Sequence, residues 1–395
     1  MMETDGKVRV LHVLGGLSLG GAESRIMDLY RCMDREKVQF DFLVHQKTEE
    51  GDGKRKSRGQ SGISRIPEFY DAEIESLGGK VYVLPKFKGY NYVSYKKAVR
   101  DFFNRHHEYA VVQGHMTSTA SIYLPEARRA GIPVLCAHAR SAGVDKGIKG
   151  WMTRLLRLPL LKRADYCFAC SGEAGKAVFG KGWNGSPKAR LIPNAIDAEK
   201  FRYDEAVRNR LRRELGIGDC YVIGHVGRFH YAKNHEFLLE IFERLHRRLS
   251  EKGKRCVLML LGEGGGMEAA KAQAGRLGIA GDILFMGNKK EVEAYYQAFD
   301  FFLFPSRFEG LPGTVVEAQA AGLRCLVSDR ITAEVGLSEL VCFESLDKSA
   351  DVWAEYAERH LEYKREDMCG CIKASGFDVK EQAARLEGFY LWGIL

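Results

Sequence analysis

Two glutamates, Glu309 and Glu317, stand eight positions apart in PSRFEGLPGTVVEAQAAG (residues 305–322), on either side of a glycine-proline turn that opens a helix-like run. Pro312 suits the first helical position, because the N–H it lacks is one the first turn cannot use. Gly313 and Thr314 then present backbone N–H groups with no helical acceptor, and the helix dipole favours an anion beside them. Glu317 lies further in, about 7 Å from Pro312 along the axis at roughly 1.5 Å per residue. A carboxylate accepts two hydrogen bonds at once, which fits a vicinal diol such as the 2- and 3-hydroxyls of a ribose. Glu309, before the helix, is placed for hydroxyls of a sugar on the other side of the anion. Glutamate pairs at this spacing arise by chance in a chain with 52 acidic residues; the turn and helix start between them set this one apart.

Other chemistry-bearing residues follow strand-like runs. In GHVGRFHYAKNH, Arg228 and Lys233 lie close enough after a strand end to converge, and two cations suit a diphosphate; the segment taken alone is equally well read as a loop with surface cations. LLGEGGGMEAA places Gly262 and Glu263 after a buried strand, where a ligand could pass close to backbone, although alone it is only a flexible loop. Near the start, Gly15, Gly16, Gly20 and Gly21 in GGLSLGGAES permit tight turns before a helix beginning near Ala22. The spacing is not G-x-G-x-x-G, and the second strand, FDFLVHQK, ends without an acidic residue for a ribose, which argues against a nicotinamide enzyme. His115 in VVQGHMTSTAS and His138 in LCAHARSAG both follow strands, the positions that line the ligand crevice of an α/β sheet. His115 is the favoured functional histidine, while His12, inside the first strand, reads as a satisfied core residue.

The elements that must position these groups alternate throughout: VRVLHVL, GGAESRIMDLYRCM, FDFLV, YDAEIESLGG, KVYVL, YKKAVRDFFNRH, YAVVQGH. That order implies βα units and parallel sheets. After ARLIPNAIDAEKF the pattern restarts with CYVIGHVGRF and EFLLEIFERLHRRL. A chain of 395 residues exceeds one hydrophobic core. The expected organisation is an α/β protein of two doubly wound, Rossmann-like domains facing across a cleft: residues 1–198, a linker at 199–217, residues 218–375, and a closing helix at 376–395 that packs back on the first domain.

Composition bounds the function class. Hydrophobic content of 45% and charged content of 28% describe a soluble globular chain. No apolar run reaches the length of a membrane span and the first residues lack a signal-peptide layout, so the expected location is the cytoplasm. The ten cysteines lie mostly in apolar strand-like runs and read as buried free thiols. Cys167 and Cys170 form a C-x-x-C pair, but residues three apart on a strand face opposite ways and no second pair matches it, so no metal site is expected. The net charge of +8 concentrates in GKRKSRGQSGISR and in KGIKGWMTRLLRLPLLKR. The first has the composition of a loop with no assignable role. The second interleaves cations with Trp151 and leucines, and reads either as a peripheral contact with an anionic membrane or as a helix with a buried apolar face and a solvated basic one. Neither cluster carries the interleaved stacking aromatics of a nucleic-acid module, so no nucleic acid is expected.

Taken together, PSRFEGLPGTVVEAQAAG resembles the E-x7-E signature of retaining GT-B glycosyltransferases, specifically glycosyltransferase family 4. The resemblance extends to GGLSLGGAES, ACSGEAGKAVFG, IPNAIDAEKF and GRFHYAKNH, over nearly the whole chain, and is nearest to bacterial capsular and exopolysaccharide transferases. It implies that Arg228 and Lys233 neutralise the diphosphate of a nucleotide-sugar, that Glu317 holds the ribose and that Glu309 contacts the transferred sugar. Backbone at Gly310, Leu311, Gly313 and Thr314 would complete the phosphate site, Gly20 and Gly21 would approach it from the facing domain, and the loop at Gly287, Asn288 and Lys289 would border the base. Glu263 belongs to the same set, and one strand-end histidine, His115, would meet the sugar or the acceptor hydroxyl. The implied reaction passes a sugar, with UDP the family's common carrier, to a lipid-linked or oligosaccharide acceptor with retention. No Asp-x-Asp motif is present, and the cations could replace a divalent metal, so no cofactor and no metal are expected. The competing readings are a sugar-nucleotide epimerase of the same architecture, and a non-catalytic nucleotide-sugar binder in a membrane assembly complex.

Overall fold

The computed structural model describes residues 6–46, 66–141, 143 and 147–393. The basic stretch at 53–65 lies outside them. The chain divides into two compact units, residues 1–192 with 380–395, and residues 193–379.

The first unit is a seven-stranded parallel sheet of β1 (Val8–Val13), β2 (Val38–Gln46), β3 (Val81–Pro85), β4 (Val111–Gly114), β5 (Val134–Ala139), β6 (Tyr166–Ala169) and β7 (Ala189–Leu191), in the order β3-β2-β1-β4-β5-β6-β7. The second is a six-stranded parallel sheet of β8 (Tyr221–Val226), β9 (Cys256–Leu261), β10 (Ile283–Gly287), β11 (Phe301–Phe304), β12 (Cys325–Ser328) and β13 (Val341–Glu344), ordered β10-β9-β8-β11-β12-β13. Helices cover both faces of such sheets, so central strands are apolar on both sides rather than alternating. β9, CVLMLL, and β11, FFLF, are buried at every residue.

Six helices bear on function: α1 (Gly21–Cys32), α2 (Tyr92–Arg105), α3 (Ile148–Arg157), α4 (His235–Ser250), α5 (Gly313–Ala320) and α6 (Val379–Trp392). Helix α4 shows how sequence sets packing: Leu238, Leu239, Phe242, Leu245 and Leu249 recur at helical spacing and are buried in the second core. Nearly all of α6 belongs to the first unit, where Tyr390 Oη donates to Gln113 Oε1 at 2.6 Å and Phe389 meets Tyr166 edge-on.

The stretch 199–217, expected as a linker, is folded into the second unit. Its helix Glu205–Glu214 carries Arg208 and Arg212 onto Asp300, whose Oδ2 also accepts from Val222 N at 2.7 Å. Arg212 also donates to the carbonyls of Ala298 and Gly218 at 2.8–3.0 Å. Apolar packing attaches it as well: Phe201, Leu211 and Ile217 are buried, and Val207 and Leu211 stand one helical turn apart.

Gly224 lies in the middle of β8, where an added Cβ would sit 2.2 Å from the Phe299 ring. Gly224→Ala is expected to lower stability by about 2 kcal/mol through overpacking. Chemical denaturation checks this: the midpoint should fall at constant m-value, and an unchanged midpoint would mean that Phe299 moves aside freely.

Each sheet has one point where strand order reverses, between β1 and β4 and between β8 and β11. Ligands of open α/β sheets bind beyond the carboxyl ends of the strands at such points. The glycine loop and His115 leave β1 and β4; the Arg228–Lys233 turn and the Ser306–Glu309 loop leave β8 and β11.

Candidate active site

In the second unit, β8 runs through Gly227 and Arg228 into one 3₁₀ turn, Tyr231–Lys233, followed by Asn234 at φ 57°. Asparagine tolerates this left-handed conformation better than most residues, and it turns the chain directly into α4. The loop after β11 is stitched to the same turn: Arg307 N donates to Ala232 O at 2.7 Å and Arg307 Nη1 to Tyr231 O at 3.0 Å. The stitching brings Lys233 Nζ to 2.8 Å from Glu309 Oε1 and 4.4 Å from the centre of the Phe304 ring. Both charged side chains are largely shielded, 16% and 18% exposed. Their contact is an ion pair out of line for a hydrogen bond, and Glu309 Oε1 has no hydrogen-bond donor among the described residues.

Beyond Glu309 the chain turns into α5. Pro312 stands at the N-cap with ψ 104°, one position earlier than the expected first helical residue, and Gly313 opens the helix. The shift has a local cause: with extended ψ, the Pro312 carbonyl accepts the first-turn bond from Val315 N at 3.1 Å. The preceding carbonyl, of Leu311, is held by Asn194 Nδ2 at 2.7 Å. Proline offers no side-chain cap, so the first N–H groups of α5 remain available. Close by in sequence, Thr314 Oγ1 and Ser306 Oγ are buried atoms with no hydrogen-bond partner among the described residues. Orphaned buried polar atoms are rare in folded proteins, and these two lie within the same motif, one after β11 and one in the first turn of α5. Glu317 is buried in α5, and its Oε2 accepts from Tyr296 Oη at 2.8 Å.

Beneath Lys233 lies His225, wholly buried, whose Nδ1–H donates to Leu303 O at 2.8 Å. That bond fixes the tautomer and leaves Nε2 a bare acceptor with no donor among the described residues. His235 stacks on Phe229 with ring centres 4.1 Å apart. Burial, with Lys233 adding to it, pushes the imidazole of His235 down to about 4, and His225 is held well below its ordinary value by burial and by His235.

The glycines of LLGEGGG have a packing role. Gly262 (φ +125°) and Gly264 (φ +155°) lie so close to the turn after β8 that a Cβ would come within 2.3 Å of Gly227 O and 2.5 Å of Phe229 O. Rather than forming a flexible loop, they seat the Arg228 loop, and Phe229 N donates to Glu263 O at 3.0 Å. Arg228 and Glu263 are exposed, and Glu263 Oε2 accepts from Asn288 Nδ2 at 3.1 Å. Glu263 and Asn288 therefore pair at the ends of β9 and β10, on the opposite side of β8 from Glu309.

In the first unit, Gly20 caps α1 and Gly21 begins it, with no side-chain cap and open space where a Gly21 Cβ would stand. His115 is tied on both ring nitrogens: Nδ1 accepts from Arg140 Nε at 3.3 Å, and Nε2 lies 3.0 Å from His12 Nδ1. An arginine can only donate, so His115 carries its proton on Nε2 and passes it to His12 Nδ1. A ligand group reaching a His115 ring nitrogen would compete with one of these partners. His12 is buried, as a core residue should be, yet its Nε2 has no partner among the described residues. Gln113 Nε2 and His138 Nδ1 are 3.1 Å apart, with Gln113 oriented by Tyr390. Burial first, then Arg140, pushes His12 down to about 3 and holds His115 and His138 well below their ordinary range.

Four residues that the sequence did not single out emerge here: Arg140, Asn194, Tyr296 and Ser306. Arg140 directly follows β5, so the strand-end rule that selected His138 could have found it. Ser306 lies inside the motif itself. Nothing local marks Asn194 or Tyr296, whose targets are 117 and 21 residues away.

Comparison with known proteins bears on family and fold. A family model described as "Glycosyl transferase 4-like domain" matches residues 20–195, and one described as "Glycosyl transferases group 1" matches residues 220–360. The chain is 35% identical over 392 residues to EpsF of Bacillus subtilis (strain 168), a protein named as a glycosyltransferase, covering 97% of this chain and 96% of that one. It is 26% identical over 228 residues to the UDP-Gal:alpha-D-GlcNAc-diphosphoundecaprenol alpha-1,3-galactosyltransferase of Escherichia coli, covering 56% of this chain and 58% of that one. Among solved structures, HepE of Anabaena in complex with UDP and glucose superposes with a TM-score of 0.75 at 16% identity, over 96% of this chain and 98% of that one.

Proposed function

This chain belongs to the GT4-type glycosyltransferases of GT-B fold, and on that premise we propose that it transfers a hexosyl group from a nucleoside diphosphate, UDP being the favoured carrier, to an acceptor hydroxyl with retention of anomeric configuration. The acceptor in this reading is a lipid-linked or oligosaccharide glycan of bacterial surface polysaccharide synthesis. The observation that carries it is the Lys233–Glu309 pair, placed between the β8 and β11 loops at a sheet switch point and followed in the chain by an uncapped helix start.

In this mechanism Arg228, Lys233 and the N–H groups of Gly313 and Thr314 take up the charge that develops on the leaving diphosphate, where preorganised donors lower a barrier most effectively. Glu317 holds the ribose diol and Glu309 the transferred sugar. The C1–oxygen bond to the diphosphate breaks, and the acceptor oxygen bonds to C1 on the same face. The acceptor's proton leaves with the diphosphate oxygen, so no protein carboxylate becomes covalently attached. Metal independence belongs to the same reading, since cationic side chains supply the charge.

A calorimetric panel of UDP- and GDP-sugars tests the site. One sugar nucleotide should bind selectively, and Arg228→Ala and Glu317→Ala should each weaken it roughly 10- to 100-fold, the range of a charge-assisted hydrogen bond. Because Glu317 also pairs with Tyr296, Tyr296→Phe serves as the folding control. Turnover should persist in EDTA, and the product linkage should keep the donor's anomeric configuration by NMR. Isomerised nucleotide without acceptor, or binding without any transfer, would overturn the proposal in favour of an epimerase or a binding protein.

A further inference from the structure

All but one of the large apolar side chains that stand exposed among the described residues belong to the first unit, the exception being Tyr231. Several of them fall in two segments. One is the loop entering α2 and the first turn of α2, where Tyr90 is 82% and Val93 80% exposed; the other is α3 and the residue after it, where Trp151 is 64%, Leu155 44% and Leu158 75% exposed. The two segments adjoin: at Gly89 a Cβ would lie 3.1 Å from Cε of Met152, the neighbour of Trp151. Residues 86–100 contain five lysines and arginines and residues 146–163 contain six, neither stretch holds an acidic residue, and together they exceed the +8 of the whole chain. Arg157 lies half-buried within this face, and its Nε and Nη1 have no hydrogen-bond acceptor among the described residues.

We infer that the α2-entry loop and α3 together form one docking face for an anionic bilayer, with Tyr90, Val93, Trp151 and Leu158 entering the headgroup region and the surrounding cations meeting lipid phosphates. Exposed apolar side chains on a strongly basic face fit the interface of an anionic membrane, where buried apolar area and cation-phosphate attraction add. Lys96 and Arg100 face Glu126 and Arg163 a backbone carbonyl, so Lys86, Lys88, Lys97, Arg154 and Lys162 are the cations that would meet lipid phosphates. The inference takes from the proposed function only that the acceptor is borne by a lipid, and it makes the start of α2 with the loop before it, residues 89–93, an equal partner of the amphipathic helix.

Vesicle co-sedimentation of the full chain tests it without any sugar nucleotide, so a failure of the transferase reading and a failure of the docking face are separable. The protein should partition onto phosphatidylcholine vesicles containing phosphatidylglycerol and not onto phosphatidylcholine alone. Tyr90→Ser with Val93→Ser, Trp151→Ser with Leu158→Ser, and Arg154→Gln with Lys162→Gln should each lower that partition about tenfold or more, with an unchanged melting temperature. Equal partition onto neutral vesicles, none onto either, or full binding by the Tyr90/Val93 variant would overturn it. Self-association that the Trp151/Leu158 variant abolishes would instead make the face a protein interface.

Discussion

Lys233→Ala should lower kcat/KM about 10²- to 10³-fold, the typical effect of removing one preorganised donor to a developing anion. Glu309→Gln, which keeps the shape of the side chain and removes its charge, should cost a comparable factor. The two effects will not add. Lys233 Nζ and Glu309 Oε1 are 2.8 Å apart, and groups in direct contact show coupling rather than independent contributions. The double variant should therefore be much better than the product of the single losses. A further consequence separates this pair from two unrelated site residues. With no ligand the ammonium is held by the carboxylate, so a nucleotide phosphate has to compete with Glu309 for it. Glu309→Gln frees Lys233 and should bind the nucleoside diphosphate alone more tightly than the parent chain, while turning over the sugar nucleotide more slowly. Calorimetry with the diphosphate beside steady-state kinetics checks both halves. Unchanged or weaker diphosphate binding by Glu309→Gln would mean that the ion pair has no bearing on ligand entry.

The second large effect is on stability. His12 and His235 are buried and held at about 3 and about 4, against about 6.5 in an unfolded chain. Between those values the unfolded state binds protons that the folded state does not, so stability rises with pH across the window. The contribution is fully present above about pH 6.5 and is lost as the pH falls toward the folded values, at about 1.4 kcal/mol per pH unit for each group. Down to about pH 4.5 each removes roughly 2.5 kcal/mol from its own unit, His12 from the first and His235 from the second, a sizeable part of the ~5–15 kcal/mol that holds a typical domain. His138 and His225, lowered by burial in the same sense, add to the loss. Urea denaturation at stepped pH should show the midpoint falling steeply below pH 6.5, and His235→Phe should flatten its share of the slope in the second unit. A midpoint that is level from pH 6.5 to 4.5 would mean that these imidazoles gain partners on protonation.

How far the sequence reaches depends on the range of the force that decides each feature. Apolar runs such as CVLMLL and the helical spacing of Leu238, Phe242, Leu245 and Leu249 are local patterns, and they determined two parallel α/β sheets and where each strand ends. Local pattern likewise put the motif residues after strand ends, but which of those ends flank a reversal of strand order is set by the assembled sheets. PSRFEGLPGTVVEAQ also fixed a helix start at the right turn, though one residue early, since proline's φ suits the cap as well as the first helical position.

Tertiary structure alone decided who touches whom. Lys233 meets Glu309 because Arg307 ties two loops from neighbouring strands. His115 is engaged by Arg140 and, 103 residues away in sequence, by His12, and Asn194 holds Leu311 across 117 residues. The segment at 199–217 looked like a linker because it is dense in charge, whereas the bonds of its arginines to Asp300 and to carbonyl oxygens, and the burial of Phe201, Leu211 and Ile217, exist only in the folded second unit. Propensity and hydrophobic period act over a few residues, whereas hydrogen bonds and ion pairs between distant segments exist only once the sheets have brought their ends together.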